Sequence, residues 1–197
     1  MGFLFIYTGL SGCGKTTKLK EIKLTLNDPN YAISLDELTK YYYYKKEPRN
    51  RFVREFVSTH PYSINTSKIN WDNDPAHIHD SFIKWIIAQE GTFYIEGIQF
   101  IKPYMDTDYL INHCTNIEII DLNEFKCLKR RVKRCFKSRK NHRLYNLFKY
   151  DLNLHHIREV IELNKFQDLV VEKYNTIYAR KIMYMINEKD KNKKSGV

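Results

Sequence analysis

Residues 9–16 have the composition of a phosphate-binding loop. They read Gly-Leu-Ser-Gly-Cys-Gly-Lys-Thr, which is the pattern G-x-x-x-x-G-K-T without a mismatch. In such a loop the glycines let successive backbone N–H groups turn inward toward phosphate oxygens. Lys15 would bring positive charge to the β- and γ-phosphates of ATP, and Thr16 a hydroxyl for Mg²⁺. The residues expected to contact the nucleotide are Gly9, Ser11, Gly12, Cys13, Gly14, Lys15, Thr16 and Thr17.

Two acidic residues stand where predicted strands end. Asp36 follows the strand pattern of residues 31–35, and Glu96 follows the apolar run 92–95. Because α/β proteins bind ligands at the carboxyl ends of their parallel strands, both acids are expected near the loop. With Thr16 they form a candidate Mg²⁺ site, and Asp36 could instead accept the proton of an acceptor hydroxyl. The alternative for Asp36 is that it caps the helix that begins at residue 37.

A cluster of arginines lies on a predicted helix that covers about residues 123–143. Asn123 is expected to cap this helix, and apolar residues form a stripe along one side of it. Arg130 and Arg134 lie one turn apart on the opposite side, with Arg131 at the flank. Arginines at this place could close over a triphosphate and stabilise the charge of the transferring phosphoryl group. The alternative is a basic face that only contacts solvent.

The glycine loop lies between a predicted strand at residues 3–8 and a predicted helix that follows it, which is the context that a phosphate loop requires. Further strands are predicted at residues 31–35, 92–95 and 116–121. Right-handed crossovers then give a three-layer α/β domain with a mostly parallel sheet in the order 2-3-1-4. The chain is predicted to be helical from residue 144 onward, with residues 168–171 open as a fifth strand.

Together these motifs resemble the small P-loop kinases of the nucleoside, uridine and adenylate kinase kind, the kinase domain of phage-type polynucleotide kinases, and the zeta-toxin group. The resemblance implies a P-loop NTPase fold. It assigns catalytic roles to Lys15, Asp36, Arg130 and Arg134, and makes Arg131 part of a lid that binds the nucleotide. The segment from Asp36 to residue 74 matches no acceptor-binding signature, so the acceptor does not follow from the resemblance.

Length and composition predict one globular domain over residues 1–188 and a basic tail over 189–197. The four cysteines show no C-x-x-C spacing, and no apolar run reaches membrane-spanning length. A reduced, cytoplasmic protein without a membrane partner is therefore expected. His77 and His79 have poor spacing for a shared metal and are expected at the surface or in a helix cap.

The expected function is ATP- and Mg²⁺-dependent phosphoryl transfer to a nucleoside, a nucleotide or a related small molecule. Two alternatives stay open. The net charge of +10 and the interleaved aromatic and basic residues of segment 41–54 suit a nucleic acid, as in a 5′-hydroxyl polynucleotide kinase. The same segment could instead pack on the core with its charges in solvent. A nucleotide-dependent switch without enzymatic activity is the other alternative.

Overall fold

The described part of the computed structural model, residues 2–61, 78–120, 122–137 and 156–175, contains a four-stranded sheet. All its strands run parallel, in the order β2-β3-β1-β4. This confirms the predicted α/β class and strand order. The strands are β1 (Phe3–Thr8), β2 (Ala32–Ser34), β3 (Thr92–Glu96) and β4 (Asn116–Ile119).

Helices occupy most of the connections between these strands. Two 3₁₀ turns, Pro29–Tyr31 and Gln99–Ile101, precede β2 and follow β3. The α-helices are α1 (Lys15–Thr25), α2 (Asp36–Tyr44), α3 (Arg51–Thr59), α4 (Ile78–Ile87), α5 (Thr107–His113), α6 (Glu124–Lys137) and α7 (156–175).

The register of the sheet brings the carboxyl ends of its strands to one level. Glu96 is opposite Tyr7 of β1 on one side and Ser34 of β2 on the other. The pairing continues past the strands, because Leu35 N donates to Glu96 O at 2.9 Å and Gly97 N donates to Tyr7 O at 3.2 Å. The loop after β1 and the residues after β2 and β3 therefore share one edge of the sheet.

The segment that links β2 to β3 is held by apolar packing where the structure describes it. Tyr42 is buried and its hydroxyl donates to His60 O, and α3 buries Phe52 and Phe56. This supports packing on the core for these aromatic residues. His79 is also buried, so the expectation of a surface or cap position is wrong for this residue. His77 lies outside the described residues.

The chain divides into two compact units, residues 1–163 and 164–197. The helix α7 runs without interruption through residues 168–171, so these residues do not form a fifth strand. Asn123 accepts a hydrogen bond from Phe125 N at the start of α6, as expected for a capping residue. Residues 138–143 of the predicted lid helix, residues 144–155 and the basic tail lie outside the described part of the chain.

No helix in the described residues is long and apolar enough to cross a membrane.

Candidate functional site

The loop between β1 and α1 takes a conformation that depends on its glycines. Gly9, Gly12 and Gly14 have φ values of 139°, 99° and 121°, where residues with a side chain are strained. At Gly9 space is restricted as well, because an added Cβ would lie 2.7 Å from Ile120 O and 3.1 Å from Cys13 Sγ. The glycine spacing seen in the sequence is thus required by the backbone.

Lys15 begins α1 and carries its charge back into the loop. Its side chain is buried, and Nζ donates to Gly9 O at 2.8 Å and to Leu10 O at 3.0 Å. The helix is capped by Gly14, which has no side chain to satisfy the first N–H groups. The ammonium group and the helix N-terminus both contribute positive potential at this loop. Charged phosphate oxygens are stronger acceptors for an ammonium group than carbonyl oxygens are.

Glu96 lies beside the loop with its carboxylate almost completely buried. Its Oε1 accepts from Ser34 Oγ at 2.5 Å and from Thr16 Oγ1 at 3.5 Å. Burial raises the pKa of Glu96, and the nearby charge of Asp36 raises this pKa further. The structure therefore joins Thr16 and Glu96, as the sequence predicted, and adds Ser34.

The oxygen ligands at this place fit Mg²⁺. Thr16 offers a hydroxyl, and Glu96 and Asp36 are close enough that their negative charges repel each other, a repulsion that a divalent cation would relieve. Among the described residues there is no group of three or more His, Cys, Asp or Glu side chains that could hold a metal. Mg²⁺ in phosphoryl-transfer sites does not need such a group, because phosphate oxygens and water supply most of its ligands.

The raised pKa of Glu96 predicts how stability depends on pH when Mg²⁺ and nucleotide are left out. The folded protein keeps the proton on Glu96 above the ordinary pKa of 4.5, at which the unfolded chain loses it. The contribution of Glu96 to stability is therefore fully present below pH 4.5 and is lost as the pH rises through the raised pKa. We expect the Tm of the wild type to fall, relative to that of E96Q, over this interval. If the Tm of the wild type and the Tm of E96Q change with pH in parallel, the raised pKa of Glu96 is contradicted.

Asp36 is exposed, and it is the first residue of α2 and not its cap. The N-cap residue is Leu35, which makes no side-chain capping bond, so the capping alternative is wrong. The Oδ1 atom of Asp36 instead accepts from Gln99 Nε2 at 3.2 Å. Asp36 thus lies at the carboxyl end of β2 near Glu96, as expected from the sequence.

Arg130 of α6 reaches the backbone of the loop. Its Nη1 atom lies 3.3 Å from Gly12 O and 3.5 Å from Cys13 O, while most of the side chain stays exposed. The side chain of Arg134 lies outside the described part of the structure, so its predicted role stays a prediction. Arg130 therefore reaches the loop that the sequence predicts to bind phosphate.

Arg131 is linked to the loop through a residue that the sequence did not indicate. Its Nη1 donates to Glu159 Oε2 at 3.2 Å, and it lies 3.4 Å from His156 Nδ1. Glu159, which is also buried, accepts from Ser11 N at 3.3 Å and from Ser11 Oγ at 3.2 Å. The Glu159 carboxylate thus accepts a hydrogen bond from one N–H group of the loop. A phosphate oxygen is an alternative acceptor for the same N–H group.

Replacing Glu159 by glutamine is expected to strengthen ATP binding. The amide keeps an acceptor for Ser11 but removes a negative charge beside the predicted phosphate site and loosens the hold on Arg131. We expect the Kd for Mg-ATP to fall about three- to tenfold, measured by calorimetry. Glu162→Gln is the matched control, because Glu162 lies one turn further along α7 and pairs with Lys102 at 2.9 Å. Weaker ATP binding by E159Q would mean that Glu159 only stabilises the loop.

Comparisons with known proteins add no assignment. Neither the protein-family models nor the curated proteins compared with this chain gave a match.

The structure brings four of the predicted residues to one edge of the sheet: Lys15, Thr16, Asp36 and Glu96. Arg130 contacts the loop from α6. Thr17 is exposed in the first turn of α1, and Cys13 is buried beneath Gly9. Sequence reasoning missed Ser34, Gln99 and Glu159. Ser34 and Gln99 had a weak signal, since each is a polar residue at or just beyond a strand end, whereas Glu159 lies 148 positions from Ser11 and had none.

Proposed function

We propose that this protein is a phosphotransferase that uses ATP and Mg²⁺ and acts on the hydroxyl or phosphate of a nucleoside, a nucleotide or a related small molecule. One observation carries the proposal. The glycine loop with its buried lysine meets two carboxylates at the carboxyl edge of a parallel sheet. A phosphoryl donor and its acceptor need this combination of positive and negative groups side by side. The strand order and the position of the loop also support a P-loop NTPase fold.

Each residue has a role in the proposed reaction. The loop N–H groups and Lys15 hold the β- and γ-phosphates, and Arg130 adds charge from the side of α6. Asp36 receives the proton of the acceptor hydroxyl, whose oxygen bonds to the γ-phosphorus while the bond to the β–γ bridging oxygen breaks. ADP leaves with the electrons of that bond. Thr16 and Glu96 would hold Mg²⁺, which neutralises phosphate charge when bound. A metal-ligand role for Asp36 is the alternative to its role as proton acceptor.

A panel of acceptors tests this function. The purified protein is incubated with Mg-ATP and, in separate reactions, with the common nucleosides, their 5′-monophosphates and a 5′-hydroxyl oligonucleotide. ADP release and the phosphorylated product are both measured. At least one acceptor is expected to give product above the reaction without acceptor. ATP binding without product from any acceptor would favour the switch without enzymatic activity.

A polynucleotide acceptor is the second candidate, and the surface around α3 favours it. This surface exposes five basic side chains within ten residues, which could follow a phosphate backbone. They are Lys45, Lys46, Arg49, Arg51 and Arg54. For an oligonucleotide acceptor the KM should rise steeply with salt, whereas for a nucleoside it should change little.

A further inference from the structure

Gln99 is buried at the carboxyl end of β3 and holds the carboxylate of Asp36. It begins the 3₁₀ turn that follows β3, three residues after Glu96. Its Nε2 atom lies 3.2 Å from Asp36 Oδ1 and 3.4 Å from Thr39 Oγ1, so that each of its two N–H groups has an acceptor. The amide thus connects the turn after β3 with the first turn of α2.

The carbonyl oxygen of the same amide has no hydrogen-bond donor among the described residues. This atom, Oε1, is buried. The opposite orientation of the amide would place this oxygen against the negative carboxylate of Asp36, so electrostatics fix the orientation seen. A buried carbonyl oxygen without a donor lowers stability. The arrangement is therefore not one that stability alone would select.

Gly97 makes room for this arrangement. A Cβ atom at Gly97 would lie 2.5 Å from Gln99 Oε1 and 3.0 Å from Leu35 Cδ1. Gly97 suits this position because the Gln99 side chain approaches its backbone closely. With a side chain at this position, the Gln99 amide could not keep the place that it has in this structure.

Thr39 extends the network toward α4. Its Oγ1 atom accepts from Gln99 and lies 3.0 Å from Nε2 of the buried His79. Because the hydroxyl oxygen accepts from the amide, its own proton can be donated to the imidazole nitrogen. The amide of Gln99 is therefore held on two sides, by a carboxylate and by a hydroxyl that is itself anchored.

We propose that Gln99 is a positioning residue for Asp36 in phosphoryl transfer, an inference that rests on the function proposed above. The amide occupies Oδ1 and fixes the rotation of the carboxylate. The second oxygen, Oδ2, then receives the proton of the acceptor hydroxyl. Gln99 acts through Asp36 and does not itself touch the reacting atoms.

The test compares Q99L with the wild type, using Mg-ATP and the best acceptor of the panel. We expect kcat for the acceptor to fall about tenfold or more while the KM for ATP changes by less than about twofold. Hydrolysis of ATP without acceptor should be unchanged. The Tm should be unchanged or higher, because the variant no longer buries a carbonyl oxygen without a donor. A purely structural role would instead lower the Tm and both activities together.

Two further variants keep the test independent of one substitution. Thr39→Val removes the second acceptor of the amide and should lower kcat for the acceptor, and Thr39→Ser, which keeps the hydroxyl, should restore it. Gln89→Leu is the matched control. Gln89 lies beside Gly2 at the amino end of β1, at the opposite edge of the sheet, and donates to Trp85 O at 3.2 Å.

The outcomes separate this inference from the function on which it rests. Wild-type protein that phosphorylates no acceptor contradicts the proposed function and, with it, the role of Gln99. Wild-type protein that transfers phosphate while Q99L keeps its full kcat contradicts only the positioning role. A fall in kcat for the acceptor in Q99L and T39V, with unchanged ATP KM and restored activity in T39S, supports both.

Discussion

Replacing Lys15 by alanine is expected to abolish phosphoryl transfer and leave the fold intact. The ammonium group lies 2.8 Å from Gly9 O and 3.0 Å from Leu10 O, so it is already at the loop before a ligand binds. Its charge would offset the negative charge that develops on the phosphates during transfer. Removing such a group typically costs about a hundredfold or more in kcat. Because those contacts are to carbonyl groups of the same loop, the sheet should not depend on them.

The measurement is the kcat of K15A with Mg-ATP and the best acceptor, together with its circular dichroism spectrum and Tm. Lys20→Ala is the matched control, because Lys20 is exposed on the same helix, α1. Near wild-type turnover by K15A would contradict the assignment of the loop to the active site. Loss of activity in K20A as well would show that α1 is merely sensitive to substitution.

The second large effect is expected from Asp36→Asn, which keeps the shape of the side chain and removes its basicity. If Asp36 receives the proton of the acceptor hydroxyl, kcat should fall about 10²- to 10⁴-fold. The affinity for Mg-ATP should change by less than about threefold, because the loop and Lys15 remain. Asp36 is exposed at the carboxyl end of β2, where an acceptor can reach it.

Single-turnover kinetics at saturating ATP, with Kd from calorimetry, separate the two roles open to Asp36. A variant that binds Mg-ATP weakly but keeps its rate at saturation would make Asp36 a metal ligand and not the proton acceptor. Asp168→Asn is the control, since Asp168 is an exposed aspartate in α7. It should leave both kcat and Kd unchanged.

The sheet and the loop could be predicted because local signals determine them. Apolar runs such as residues 3–8 indicate buried parallel strands. The glycines of residues 9–14 mark positive φ values, three of which the structure shows at Gly9, Gly12 and Gly14. Once the strands are parallel, right-handed crossovers leave few possible orders. The order 2-3-1-4 followed from these rules and is confirmed.

The contacts between distant side chains could not be predicted, because no local pattern encodes them. The capping alternative for Asp36 followed a common preference, but the helix begins one residue earlier than predicted and the carboxylate binds Gln99 instead. His79 was expected at the surface or in a helix cap because its spacing from His77 does not suit a shared metal, yet it is buried beside Thr39. Glu159 is 148 positions from Ser11 in the sequence, and only the folding of the intervening chain brings the two side chains into contact.

The measurement that tests the central claim most directly is a crystal structure with Mg²⁺ and a non-hydrolysable ATP analogue. We expect the β- and γ-phosphates inside the loop of residues 9–16, with Lys15 Nζ shifted from Gly9 O and Leu10 O onto the phosphate oxygens. The metal should lie between the phosphates, the hydroxyl of Thr16 and the carboxylate of Glu96, with Asp36 left free to meet the acceptor. An analogue bound elsewhere, or a loop without phosphate at a saturating concentration, would contradict the account.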